Sequence, residues 1–334
     1  MTKAALGTFP DRGSALRLAS RSPMARCVQR MLEHCPAGCT VLVAASGGAD
    51  STGLALLACA VAARGPWRVG LVTVDHGLRP SSAADADFVC RLGEWLGVPV
   101  DRRSIALRAG PALAARARAG RHAAIVEAAR ACGGVAVLMA HHAEDQLETV
   151  LMRLVRGAGA QAAAGMPARR RMRGVLLMRP LLERSRQEVR ALLERAGVGW
   201  REDPSNQDRA KPRGRIRHEV LPVLESMRRG AAVRASRAAR RLQAAAKALR
   251  ARARRQLAGE GPWPREPLRR VPAEVLALAL HGKVPSASET QVDRAVTAIR
   301  SQAARPRRCA VGGHELRVEA RWVRLGTADS TGAA

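Results

Sequence analysis

The sequence predicts an α/β fold in which a parallel sheet carries helices on both faces, followed by a mostly helical, basic C-terminal part. Short apolar runs typical of buried strands alternate with helix-like segments up to about residue 180. After Pro180 the alternation ends, and long Ala- and Arg-rich segments follow. The chain has 334 residues, which is enough for about two domains at roughly 150 residues each.

The strand–helix units follow one another in the first half of the chain. Each apolar run is short, and the next segment carries apolar residues at helical spacing. The predicted strands are 40–45, 69–74, 98–105 and 134–140. The predicted helices are 50–64, 84–96, 112–131, with an interruption at Gly120, and 143–155. We expect right-handed connections between these parallel strands.

The second half is predicted to contain helices and a terminal pair of strands. Its helices are expected at 183–196 and 216–258, and its strands at 309–311 and 315–325. Residues 1–23 contain no continuous apolar run of a signal peptide and are interpreted as a disordered extension. Sequence upstream of a true start at Met24 and an organellar transit peptide are the alternatives. The predicted domains are then 24–200, a basic linker at 201–217 and a C-terminal region at 218–334.

The charge of the chain favours a polyanionic partner. Lys and Arg number 57 against 28 Asp and Glu, which gives a formal net charge of +29. A compositional bias towards Ala and Arg is the alternative, but sixteen basic residues stand against two acids between 209 and 255. Aromatic residues are only 2% of the chain, so we expect phosphate contacts and Arg planes to bind nucleic acid more than base stacking does.

The cysteine content predicts a cytoplasmic protein. There are seven cysteines, an odd number, with no CxxC pair, which favours reduced thiols.

No apolar run approaches the roughly 20 residues of a membrane span. The sequence leaves the oligomeric state open, and a homodimer is one alternative.

Residues 46–52 predict a phosphate-binding loop. They follow a predicted strand and open a helix, where free N–H groups and the helix dipole favour phosphate. Glycine lets the backbone approach a ligand closely, and Asp50 would repel phosphate unless a cation such as Mg²⁺ lay between them. The alternative is a Gly-rich turn with Asp50 or Ser51 as an ordinary helix cap. The loop consists of Ser46, Gly47, Gly48, Ala49, Asp50, Ser51 and Thr52.

This loop resembles the SGGxDS motif of the PP-loop ATP pyrophosphatases, which cleave ATP between the α and β phosphates and adenylate a substrate. Further segments make the chain similar to the tRNA(Ile)-lysidine synthetase family over roughly residues 40–224. The segments that carry this resemblance are 74–79 (VDHGLR), 140–149 (AHHAEDQLET), 203–206 (DPSN) and 215–218 (RIRH).

The resemblance implies a reaction in two steps. ATP adenylates the carbon-2 oxygen of the wobble cytidine in an isoleucine tRNA with a CAU anticodon, releasing pyrophosphate. The ε-amine of free lysine then displaces AMP to give lysidine. Because the lysine pKa is about 10.4, the site must contain a base or a desolvating pocket that favours the neutral amine.

Two acidic residues on helix 143–155 are candidates for this chemistry. Asp145 and Glu148 are three residues apart and lie on one side of the helix, while Leu147 and Leu154 are among those expected on its buried side. We expect Asp145 to join Asp50 in holding Mg²⁺ or lysine, and Glu148 to recognise the lysine amine. The alternative is that both acids merely complement the helix dipole.

The remaining candidates also follow from the resemblance. Val74 and His76 would contact ATP, although a histidine at a strand–loop junction is nearly as good an interpretation of His76. Arg118 and Arg121 lie in a segment similar to the family's ARxxRY, with His122 in place of Tyr, and would neutralise ATP phosphates. A solvated basic helix face is the alternative for these two arginines.

A basic segment similar to the family's RNRIRH provides the candidate RNA contacts, with Gly214 in place of Asn. Its arginines would bind phosphate or RNA electrostatically. These residues are Arg213, Arg215 and Arg217. Zinc at His141 and His142 is improbable because adjacent residues of a strand point to opposite faces and no cysteine partner is suitably spaced.

Two rival functions remain open at this point. One is another PP-loop enzyme, such as a tRNA thiolase or an amide-forming synthetase. The scattered cysteines argue against a thiolase. The other is a non-enzymatic basic RNA-binding protein with a decayed nucleotide site, against which the intact Asp50, Asp145 and Glu148 argue.

Overall fold

The computed structural model describes residues 9–75, 77, 82–106, 110, 113–157, 164–202, 209, 211–302 and 305–327. The chain divides into two compact units, and the division falls between Arg240 and Arg241. The boundary therefore lies later than the linker predicted at 201–217. The reason is that Leu221 and Ala232 pack with Ala143 and Leu147 in one apolar cluster of the first unit.

The first unit is built on one sheet, with strand order β3-β2-β1-β4-β6-β5 in the part of the chain that the structure describes. Strand β1 pairs in parallel with β2 and β4, and β5 pairs antiparallel with β6 at the edge. The four predicted strands are confirmed, and the β5–β6 hairpin was not predicted. The strands are β1 (Thr40–Ala44), β2 (Arg68–Asp75), β3 (Val100–Ser104), β4 (Ala136–Leu138), β5 (Arg169–Met172) and β6 (Val175–Met178).

Helices cover both faces of this sheet, as predicted. Val41 and Val43 pack towards helices α1–α4 and α7, whereas Leu42 of the same strand packs against α5 on the opposite face. The described helices up to residue 256, including those that do not pack on the sheet, are α1 (Arg12–Arg21), α2 (Pro23–Leu32), α3 (Ala49–Ala62), α4 (Ser82–Leu96), α5 (Leu113–Ala131), α6 (Ala143–Val155), α7 (Arg186–Ala196), α8 (Pro212–Arg215), a π-helical turn (Ile216–Val220), α9 (Leu221–Met227) and α10 (Ala231–Gln256).

Helix α1 corrects the prediction of a disordered extension over residues 1–23. Ala15 and Ala19 are 2% and 0% exposed within the main core. The carboxylate of Asp11 accepts a hydrogen bond of 2.7 Å from the N–H of Ser14 and so caps the helix. The small side chains of these alanines let α1 pack closely on α3. The helix was not predicted because it lacks the long apolar run by which a buried helix is recognised in sequence.

The second unit combines helices with a small antiparallel sheet. The described strands have the order β7-β10-β9-β8, which is more than the predicted terminal strand pair. Its core contains Leu276, Ile299 and Leu316. None of the helices in the described residues of either unit is long and apolar enough to cross a bilayer. The elements are β7 (Trp263–Pro264), α11 (Arg265–Arg269), α12 (Ala273–Lys283), α13 (Glu289–Arg300), β8 (Arg307–Val311), β9 (His314–Val318) and β10 (Trp322–Thr327).

Candidate active site

The candidate site lies where the strand order reverses. From β1 the chain proceeds through β2 to β3 on one side, and β4 then pairs with the other side of β1. Open α/β sheets bind ligands at such a point, beyond the carboxyl ends of the strands. The loop after β1 and the residues after β4 meet there, and these are the segments that contain Asp50 and His142.

The loop after β1 presents an uncapped helix N-terminus. Gly48 is the N-cap of α3 and offers no side-chain oxygen to the first N–H groups of the helix. Ser51 Oγ accepts from the N–H of Ser46 and donates to the carbonyl of Gly48, each at 3.1 Å. Neither Asp50 nor Ser51 is the N-cap, so the structure disfavours the alternative of an ordinary capped turn.

A cavity of about 460 Å³ opens beside this loop. Seven arginines and four carboxylate residues line it, so its wall is net positive, which suits a polyphosphate. The predicted site residues on its wall are Ser46, Gly48, Ala49, Asp50, Ser51, Val74, Arg118, Arg121, Asp145, Arg213 and Arg217.

Other predicted residues lie off the cavity wall. Thr52 is fully buried and donates its hydroxyl to the carbonyl of Gly47 at 3.3 Å. Arg215 pairs with Glu219 at 3.4 Å, and its side chain is 67% exposed. Gly47 and Glu148 are also outside the lining. His76 and the predicted segment 203–206 lie outside the described residues.

His142 connects the two predicted carboxylates. Its Nε2 lies 3.4 Å from Asp50 Oδ2 and 3.3 Å from Asp145 Oδ2, and its Nδ1 lies 2.9 Å from Glu144 Oε2. The side chain is completely buried. Because His142 is also the N-cap of α6, the same residue starts that helix and joins it to the helix that follows the phosphate loop.

The charges of this cluster shift the pKa values of His142 and Asp145 in opposite directions. Burial alone would lower the pKa of His142, but the facing carboxylates of Asp145, Asp50 and Glu144 raise it to about 10. Burial would raise the pKa of Asp145, but the cationic His142 and Arg213 lower it to about 2. These shifts favour the imidazolium form of His142 and the carboxylate form of Asp145 at neutral pH.

Glu148 lies beneath two arginines rather than on the cavity wall. Its carboxylate is 0% exposed and accepts hydrogen bonds from Arg213 Nε at 2.5 Å and Arg217 Nε at 2.8 Å. Arg213 also donates to Asp145 at 3.0 Å. The predicted buried face of α6 is thus partly wrong, because Glu148 is enclosed by the segment after residue 211 while Leu154 is 53% exposed.

Two further histidines stand near the arginines of α5. Burial, which outweighs the attraction of Asp145, lowers the pKa of His141 to about 4, and nearby Arg179 contributes to the same shift. Burial and then Arg118 lower the pKa of His122. Both imidazoles are therefore neutral at pH 7. Helix α5 continues through Gly120, where a break was predicted.

Sequence reasoning missed several residues of the cavity. Arg186 lies 3.7 Å from Asp50, although 136 residues separate them in the chain. Trp200, Arg201 and Glu202 also line the cavity, where the sequence suggested an exposed linker. Helix α7 itself was predicted, at 183–196, and the capping box formed by Ser185 and Glu188 marks its start.

Asp50 and Asp145 are the candidate ligands for Mg²⁺ at the phosphate loop. Asp50 Oδ1 is buried and has no hydrogen-bond partner in the described part of the chain. The described residues contain no group of three or more metal-ligating side chains. Since Mg²⁺ bound with phosphates needs only one or two carboxylates, Asp50 and Asp145 fit the group, with Asp50 Oδ1 the free ligand atom.

Comparison with known proteins places these residues in a family. A family model described as a PP-loop domain matches residues 21–224. The chain is 46% identical over 202 residues to a tRNA(Ile)-lysidine synthase of Salinispora arenicola, covering 60% of each chain. It is 44% identical over 199 residues to the enzyme of that name from Thermobifida fusca, covering 59% of this chain and 60% of the relative. The match thus spans about 60% of the length of these relatives.

A solved structure shares the fold. The U34-tRNA thiolase NcsA from Methanococcus maripaludis, determined with its [4Fe-4S] cluster, matches with a TM-score of 0.57 and 17% identity. The match covers 66% of this chain and 78% of that protein. At this identity the likeness extends to the fold alone.

Proposed function

Since the chain belongs to the PP-loop domain family, which its match over residues 21–224 establishes, we propose that it is an ATP-dependent tRNA-modifying ligase. Its substrates would be ATP, free lysine and an isoleucine tRNA with a CAU anticodon. The reaction adenylates the carbon-2 oxygen of the wobble cytidine with release of pyrophosphate, and lysine then displaces AMP to form lysidine. The tRNA(Ile)-lysidine synthases similar to this chain support that choice of reaction.

One observation carries the proposal. The N-terminus of α3 faces a cavity whose wall also contains Asp50, Asp145 and the arginines of α5. The N-cap of this helix, Gly48, has no side chain, so the first N–H groups of α3 stay open to a ligand. Free N–H groups and the helix dipole bind phosphate oxygens. Arg118 and Arg121, from the cavity wall, add charge-assisted donors for the same phosphates. The site therefore suits a nucleoside triphosphate.

Mg²⁺, held by Asp50 and Asp145, would offset the charge of the phosphates when it is bound. The protein's own residues prepare the second step. Once pyrophosphate has left and no longer offsets it, the positive charge of His142, Arg213 and Arg217 around the carboxylates disfavours an ammonium ion and so favours the neutral form of the lysine amine. Asp145, on the cavity wall, provides an acceptor that orients the amine. Glu148, predicted to recognise the amine, is instead buried and holds Arg213 and Arg217 in place.

The rival thiolase function has less support from this site. No cysteine occurs among the described residues that line the cavity. Phosphate and RNA contacts from Arg213, Arg215 and Arg217 fit either a ligase or a thiolase. A cytoplasmic location stays a prediction, as does the choice between a monomer and a homodimer.

The test is to incubate the full chain with ATP, Mg²⁺, labelled lysine and the CAU-anticodon tRNA. We expect label in the tRNA and one pyrophosphate released per lysine transferred. Pyrophosphate release without lysine transfer would support another PP-loop reaction. RNA binding with neither product would support the non-enzymatic alternative and contradict the proposal.

A further inference from the structure

Arg201 touches the phosphate loop through its backbone and helix α4 through its side chain. Its N–H donates to the carbonyl of Gly47 at 2.9 Å, and it forms a parallel β-bridge with Gly48. Its Nε donates to Asp85 Oδ1 at 2.5 Å, and Asp85 lies in the first turn of α4. One residue therefore joins the loop that follows β1 to the helix that follows β2.

The phosphate loop is tightly enclosed at this contact. Gly47 has a φ of +80°, a left-handed conformation that favours glycine. A Cβ at this position would lie 3.2 Å from Phe88, 3.4 Å from the carbonyl of Asp85 and 3.8 Å from Arg201 Cδ. The loop is thus packed between α4 and the stem of Arg201.

We propose that Arg201 is a positioning residue for ATP, acting through its ion pair with Asp85. The pair fixes residues 47 and 48 against α4 and so keeps the N–H groups at the start of α3 in the arrangement that receives phosphate. Without it the loop would sample more conformations, and ATP binding would have to order it. The inference rests on the proposed use of ATP at this loop.

Replacing Asp85 by Asn separates this role of Arg201 from direct phosphate binding. Arg201 and Asp85 both line the cavity, and their side chains are 29% and 21% exposed. If the guanidinium bound phosphate directly, replacing Asp85 by Asn would release it towards the ligand and leave ATP affinity unchanged or higher. If the ion pair positions the loop, the same substitution weakens ATP binding.

The experiment measures ATP affinity of the full chain with Mg²⁺ by calorimetry, in the absence of tRNA. We expect Arg201→Met to raise the Kd about tenfold, equivalent to about 1.4 kcal/mol. Asp85→Asn should raise it several-fold, Arg201→Lys should recover part of the loss, and the double variant should bind no worse than Arg201→Met. Arg102→Met is the matched control. Arg102 pairs at 2.7 Å with Asp87, which lies on α4 like Asp85, but Arg102 is outside the cavity lining.

The kinetic signature adds a second readout. In the lysine-transfer assay, Arg201→Met should raise the KM for ATP about tenfold and leave kcat and the KM for lysine within about threefold. Unchanged or tighter ATP binding by Asp85→Asn would overturn the positioning role while leaving the proposed function intact. If Arg201→Met does not fold, Asp85→Asn decides the question. A wild-type chain that binds no ATP would contradict both.

Discussion

Arg217, on the wall of the cavity, forms a two-point ion pair with the buried Glu148. Nε of Arg217 donates to Glu148 Oε1 at 2.8 Å, and Nη2 donates to Oε2 at 3.2 Å. The carboxylate is fully buried, and the arginine side chain is 17% exposed. Glu148 therefore fastens the π-helical turn, which carries Arg217, to α6.

Replacing Glu148 should destabilise the first unit. Glu148→Ala leaves Arg213 and Arg217 without their shared acceptor, and breaking a buried ion pair costs about 3 kcal/mol. Urea unfolding followed by circular dichroism measures the loss. Glu219→Ala is the control, because its pair with the exposed Arg215 should be worth under about 0.5 kcal/mol. Equal losses in the two variants would contradict the buried geometry.

Stability should fall with rising pH because of His142. Its folded pKa of about 10 exceeds the ordinary 6.5, so its stabilising effect is complete below pH 6.5 and is lost as the pH rises towards 10. His142→Gln should thus lower the free energy of unfolding by about 3 kcal/mol at pH 6 and by much less near pH 10. Urea titrations of both proteins across this range give the difference, and a constant gap would be inconsistent with the ion cluster.

Asp145→Ala should abolish lysine transfer while leaving tRNA affinity within about twofold. Asp145 faces the cavity and His142, whereas tRNA affinity should come from phosphate contacts to exposed arginines. Label transfer and filter binding measure the two properties. Asp101→Asn is the control, since its pair with Arg103 lies on β3 and outside the cavity lining. A parallel loss of both properties would make Asp145 structural.

The arginines after residue 211 should differ in their effect on tRNA binding. Arg215 is 67% exposed, and its weak surface pair with Glu219 can yield to phosphate, whereas Arg217 is held by the buried Glu148. Arg215→Met should reduce the salt slope of binding by about 0.7 without changing sequence preference. Affinity measured over a series of salt concentrations gives the slope, with Arg102→Met as reference. An unchanged slope would remove Arg215 from the RNA-binding surface.

The sequence predicted the part of the fold that rests on local patterns. Strands β1, β2 and β4 are continuous apolar runs, and helix α6 begins and ends where its pattern indicated. The β5–β6 hairpin was missed because β5 is rich in arginine and lies at the sheet edge, where charge replaces the apolar signal. Helix α2 could have been found from Ser22-Pro23, a cap followed by proline at the first helical position.

The candidate site was predictable in its motifs and not in its contacts. The loop at Ser46 follows from glycines between a strand and a helix, which is local information. The contacts of His142 with Asp50, and of Glu148 with Arg217, join residues that are distant in sequence, and only the packing of α6 against neighbouring elements determines them. For the same reason no local pattern in the sequence identified Arg186, at the start of α7, or Arg201, which follows α7, as residues of the site.

The central claim is that ATP binds with its triphosphate at the N-terminus of α3. A crystal structure of the full chain soaked with a hydrolysis-resistant ATP analogue and Mg²⁺ tests it most directly. We expect the phosphates within hydrogen-bonding distance of the N–H groups of residues 48–51, with Arg118 and Arg121 nearby. A nucleotide bound elsewhere, or none at saturating concentration, would contradict the account.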